Sequence, residues 1–180
     1  DRVKAGTVRK DPAIALDITA TTLDAAGIEH PKLFHGQSLF GKAKPRTEIF
    51  TARDRCDMTV DRIRAVRDAR FKLIHNFYPD RSYAQFNRYI KTSYPTLTVL
   101  EELGKQGKLN DLQARWWAPS RPEFELYDHQ ADPHEVNNLA AKPEHKKTLD
   151  RLSKRLDRWI VETNDQGRTP ESKETIESNQ

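Results

Sequence analysis

The residues most densely placed for chemistry are Arg53-Asp54-Arg55-Cys56-Asp57, directly after the apolar run Glu48-Ile49-Phe50-Thr51-Ala52. Guanidinium groups offer paired N–H donors that match sulfate, phosphate and carboxylate. A strand feeding such a loop fixes the direction of its side chains. With Arg62 a few residues on, the candidate substrate-binding set is Arg53, Asp54, Arg55, Asp57 and Arg62. The plainer reading is a solvated salt-bridge loop. Arg64, Arg67 and Arg70 add positive charge nearby, although alternating Arg also marks the wet face of a strand. Arg115-Trp116-Trp117 suits stacking on bases or sugars, or packing beside Pro119.

No self-sufficient catalytic set is visible. Gly36-Gln37-Ser38-Leu39-Phe40-Gly41 has the wrong spacing for a nucleophile elbow. No Walker loop and no dinucleotide fingerprint occurs. His134-Glu135 fails as a zinc helix because the residue four after the His is Asn138. His75, on an apolar strand, reads as a hydrogen-bonded core residue. Cys56 carries no mark of a thiolate.

The elements that position these groups follow from patterning. Asp11-Pro12 is the pair expected at a helix start, and the spacing predicts a helix over Pro12–Ala26 capped by Gly27. Residues 29–47, with Pro31, Gly36, Gly41 and Pro45, read as loop. Strands are predicted at 48–52, 62–67, 71–77 and 124–127, the middle two as a hairpin whose turn at Asp68-Ala69 lacks Gly. Residues 83–117 carry helical stripes, and a last helix after Pro143 presents Leu149, Leu152, Leu156, Trp159 and Ile160 along one face. From Asp165 the chain is polar, without aromatics, and reads as a frayed tail.

The 180 residues carry 31 Lys+Arg against 27 Asp+Glu, net +4, so a polyanion is a plausible partner but not a dictated one. One Cys excludes an internal disulfide. No apolar run spans a bilayer, and Asp1–Gly6 form no signal-peptide core.

Three segments, in order, resemble the type I, formylglycine-dependent sulfatase family. Asp17–Ile28 with Gly36-Gln37-Ser38-Leu39 is similar to the family's D-I-x-P-T-L-L-D-L-A-G-I and G-x-S-L segment, with Ala20 in place of Pro. Arg64–Ile74 resembles its R-x-V-R hairpin. Glu125-Leu126-Tyr127-Asp128 through Asp132-Pro133-His134-Glu135 to Asn138-Leu139 resembles E-L-Y-D, D-P-x-E and N-L. The Arg-Asp-Arg loop, Asn76–Arg81 and the insert 83–118 are most similar to the heparan N-sulfatase-like bacterial branch.

The resemblance implies an α/β protein in two parts. Residues 1–47 would be the tail of an alkaline-phosphatase-like catalytic domain. Residues 48–163 would be an α+β C-terminal subdomain, a mainly antiparallel sheet of about four strands with the last helix packed on it, and 164–180 a disordered tail. It implies hydrolysis of sulfate esters or sulfamates on a glycan by a periplasmic or secreted enzyme that uses calcium. The family nucleophile arises from Cys or Ser in Cys/Ser-x-Pro/Ala-x-Arg. Cys56, Ser82, Ser93 and Ser120 are followed four residues on by Val60, Phe86, Leu97 and Phe124, never by Arg. No catalytic residue and no metal ligand is therefore assigned to this chain, whose expected partners are a sulfated glycan and a preceding sulfatase domain. Neither a membrane nor a nucleic acid is expected. The competing reading is a non-enzymatic basic module that binds polyanions.

Overall fold

The computed structural model describes residues 3–31, 34–40 and 44–178; Gly41, counted above in the loop, and the last two residues of the tail lie outside them. The chain divides into two compact units, one reaching to Ile49 together with Arg67–Arg70, the other holding Phe50–Val66 and everything from Phe71 onward.

The first unit is built on helix α1, Ala15–Ala25. It starts three residues later than Asp11-Pro12 predicts, because Asp17 supplies the cap: its Oδ2 accepts from the Ile14 backbone N–H at 3.0 Å. Asp11 is engaged by Arg9 instead, at 2.5 Å. Gly27 takes φ +72°, and the Ile28 N–H returns to the Leu23 carbonyl at 2.9 Å, a left-handed C-terminal stop as the sequence predicts.

Asp17 and Asp24 explain the first family-like segment. Asp17 is buried and also accepts from Gln37 N–H at 2.8 Å and from Arg46 Nη2 at 2.7 Å. Ser38 Oγ donates to Asp24 Oδ2 at 2.6 Å, and Leu39 N–H to Thr21 Oγ1 at 2.9 Å. Gly36 lies so close to α1 that a Cβ there would sit 2.3 Å from the Leu16 carbonyl oxygen. The segment is a clamp between a helix and its following loop.

The second unit is a four-stranded antiparallel sheet of order β1-β2-β3-β4: β1 Glu48–Cys56, β2 Thr59–Asp68, β3 Phe71–Asn76 and β4 Phe124–Asp128. The Gly-less turn between β2 and β3 closes through Asp68 Oδ1, which accepts from Arg70 N–H at 2.8 Å, as Asp does in such turns. In the β3–β4 pair Leu73 faces Leu126. Helix α5, Lys146–Glu162, supplies Leu152 and Leu156 to a core with Val66, Leu73 and Leu126, flanked by Phe50, Leu149, Trp159 and Ile160. Trp159 stacks on Phe50 at 5.0 Å with parallel rings. Each such fully buried aliphatic side chain contributes about 1.5–3 kcal/mol.

Between β3 and β4 lie three short helices, α2 Arg88–Ser93, α3 Pro95–Lys105 and α4 Asp111–Arg115. Asn87 caps α2 and Asn110 caps α4 through their side-chain oxygens. The final helix α6, Lys173–Glu177, is capped by Ser172. The stretch expected as a frayed tail thus differs from that expectation at its start, as the site shows.

Candidate functional site

The Arg53–Asp57 run is not a loop. Strand β1 continues through it to Cys56, because β2 is long enough to pair with it, and the chain turns only at Asp57-Met58. Asp57 takes φ +50°, a left-handed value that Asp tolerates better than most residues. Since strand side chains alternate, Arg53 and Arg55 share one face of edge strand β1 and Asp54 lies on the other. An open concavity of about 560 Å³ is lined by Ala52, Arg53, Asp54, Arg55, Asp57 and Glu171.

Most of these charges are already matched. Asp54 pairs with Arg64 Nη1 at 2.8 Å. Arg55 pairs with Glu171 at 2.6 Å and donates to the Asp57 carbonyl at 3.0 Å. Asp57 Oδ2 accepts from Asn87 Nδ2 at 3.1 Å. Arg62 stands apart, with its guanidinium 3.8 Å from the centre of the Phe77 ring. Of the five, Arg53 and Arg62 have side chains with no hydrogen bond or ion pair to another described residue, and Arg62 is engaged by the Phe77 ring. Carboxylates outnumber guanidiniums around the concavity, so it is a mixed-charge surface and not a basic patch.

The organising residue is Arg64, whose alternation along β2 suggests a wet-face arginine but which is buried. Its side chain is 1% exposed. It forks onto Asp165, Nε to Oδ2 at 2.5 Å and Nη2 to Oδ1 at 2.8 Å, while also holding Asp54 and donating to the Arg53 carbonyl at 3.2 Å. The Arg64 hydrogen bonds, opposed by burial, hold Asp165 down at about 2. Gly167 N–H donates to Asp165 Oδ1 at 2.8 Å, and a Cβ on Gly167 would lie 1.9 Å from Arg64 Nη2. Residues 165–167 are thereby latched onto β1 and β2. The only sequence signals for this were a lone Gly in a polar stretch and the R-x-V-R segment itself.

The remaining family-like residues are also scaffolding. Lys72 pairs with Glu135 at 2.8 Å, joining the second and third segments. Asn138 completes edge strand β4: its Oδ1 accepts from Leu126 N–H at 2.9 Å and its Nδ2 donates to the Phe124 carbonyl at 3.0 Å. Buried Glu125 accepts from Asn76 Nδ2 at 2.6 Å and Tyr127 OH at 2.5 Å. Burial, reinforced by Glu125, raises both Tyr127 and Tyr83. Asp61 pairs with Arg121, both buried. His75 is packed between Phe77 at 3.8 Å and Phe124 at 4.3 Å, and burial lowers its pKa.

Calcium does not fit the acidic residues at hand. The oxygens of Asp17 are spent on Ile14, Gln37 and Arg46, and Ser38 occupies Asp24. Among the described residues no three His, Cys, Asp or Glu side chains converge as a metal cage. No helix there is long and apolar enough to cross a membrane.

Comparison with known proteins gives the class. The chain is 40% identical over 163 residues to an ulvan-active sulfatase of Formosa agariphila, covering 87% of this chain and 26% of that protein. It is 30% identical over 170 residues to human N-sulphoglucosamine sulphohydrolase, covering 83% of this chain and 32% of the enzyme. A sulfatase structure from Bacteroides thetaiotaomicron superposes with a TM-score of 0.56 at 22% identity, over 86% of this chain and 26% of that one. A structure solved in complex with its substrate D-glucosamine-2-N,6-O-disulfate gives 0.52 at 23%, over 86% and 25%. No protein-family profile matches.

These relatives are sulfatases, and the chain is homologous to one segment of them. It spans about a quarter to a third of the length of the curated relatives it matches.

Proposed function

We propose that this chain is the C-terminal part of a sulfatase that hydrolyses sulfate esters or sulfamates on a glycan, acting in the periplasm or outside the cell. The observation that carries the reading is the 40% identity to an ulvan-active sulfatase across nearly the whole chain. The sulfamidase match and the disulfated glucosamine bound by a structural neighbour support the substrate class. Formylglycine and calcium belong to the remainder of the enzyme.

Within it, the edge of β1 lines the substrate entrance. Arg53, with its unengaged guanidinium, receives an anionic group of the sugar. Arg55, held by Glu171, and Asp54, held by Arg64, keep the rim in place, and Asp57 and Arg62 flank it.

In a sulfatase carrying this segment, Arg53→Ala should raise KM for a sulfated glycan about tenfold, as expected for losing one charge-assisted hydrogen bond, with kcat nearly unchanged. Arg55→Ala should do less. Wild-type kinetics for both variants would remove the edge of β1 from the substrate path.

A further inference from the structure

The insert between β3 and β4 holds a second cavity, of about 250 Å³, lined chiefly by Tyr83, Phe86, Ile90, Lys91, Glu101 and Trp116. Its wall is preformed. The Trp116 carbonyl accepts from Ala84 N–H at 3.0 Å and from Ser82 Oγ at 3.1 Å, so the backbone under the indole is fixed. The Tyr83 and Trp116 rings lie nearly parallel, 13° apart with centroids 5.9 Å apart. Even so, Trp116 is 50% and Phe86 61% exposed. An aromatic surface that is held in place yet left in water is suited to a ligand rather than to a core.

Three features narrow the ligand. The cavity falls below the roughly 300–1,000 Å³ of drug-sized sites, so it takes one ring. The spacing between Tyr83 and Trp116 leaves no room for a third ring between them, so a ligand stacks on one outer face only. The polar groups at the rim, Lys91 and Glu101, belong to a cluster, with Lys91 and Lys105 on Glu101 at 3.4 and 3.3 Å and Glu102 on Lys105 at 2.9 Å, which supplies donors and acceptors but, with two cations against two anions, no net charge for a phosphate. Trp117 also lines the cavity. A pyranose meets all of this, with an apolar C–H face and a periphery of hydroxyls.

We infer that the insert cavity binds a single neutral pyranose unit by stacking on Trp116. The inference does not depend on the role given to Arg53 and Arg55.

The test uses the indole N–H signals of Trp116, Trp117 and Trp159 in a two-dimensional NMR spectrum, titrated with N,N′-diacetylchitobiose. Saturable shifts of the Trp116 and Trp117 signals, with Trp159 unmoved, are expected. Trp116→Ala should weaken binding about tenfold or more, Trp116→Phe should retain most of it, and Arg53→Ala should leave it unchanged. The stacked Trp159 signal reports that each variant is folded. Absence of saturable shifts, equal shifts with sorbitol, or shifts with adenosine but not with the disaccharide would each overturn the assignment.

Discussion

Arg64 shows how much a single buried guanidinium can organise. It fixes Asp54 on one strand, the backbone of Arg53 beside it and Asp165 from beyond the last long helix. Its truncation leaves the nearly buried Asp165 carboxylate without its partner, whereas half-exposed Asp54 can turn to water, so Arg64→Ala should cost about 3 kcal/mol, read as a lowered midpoint in urea. The latch is also acid-labile in a definite direction. Asp165 in the folded state sits at about 2, below the ordinary 3.8. A depressed carboxylate gives stability that is complete above its unfolded pKa and is lost as pH falls toward the folded one. Stability should therefore drop between about pH 4 and pH 2, and Asp165→Asn should flatten that part of the profile. A wild-type profile that is already flat there would dissociate the pair from folding. Beyond the lone Gly167 and the R-x-V-R segment, the sequence carries no sign of this latch, because an alternating Arg on a strand reads as solvent-facing until its partner, 101 residues away, is known.

At the scale of elements, patterning did well where one face is buried and poorly where side chains replace backbone. The last helix was legible because Leu149, Leu152, Leu156 and Trp159 recur on one stripe, and all four belong to the core or its flank. The strands were placed but clipped: β1 runs four residues past Ala52 because pairing with β2, not its own propensity, sustains it. The start of α1 was misplaced because Asp17, inside the helix, caps it in place of Asp11. Asn138 is the device no periodicity reveals, an amide doing the work of a neighbouring strand on β4. Asn138→Ala leaves Leu126 N–H and the Phe124 carbonyl unpaired and should destabilise by about 1–3 kcal/mol. Hydrogen exchange at the Leu126 amide should accelerate with it; unchanged protection there would remove Asn138 from the strand.

At the scale of the molecule, the three family-like segments turn out to be joints: a helix–loop clamp, a hairpin and an edge closure. The residues lining the β1 concavity lie outside these segments, and Arg64 of the hairpin segment holds Asp54 and the Arg53 backbone among them. Two units of unequal size, with Leu16 and Ile18 of α1 45% and 65% exposed, should not melt as one. Calorimetry of the 180-residue chain should give a broad transition whose van't Hoff enthalpy is below the calorimetric value; a single sharp transition with equal enthalpies would contradict the division. The chain's one thiol, Cys56, is exposed at the tip of the first hairpin. Its carbonyl accepts from Asn87, which lines the insert cavity, and its neighbours Arg55 and Asp57 line the concavity on β1. A maleimide dye can thus be attached at one defined spot, without engineering, where its emission would register occupancy on either side.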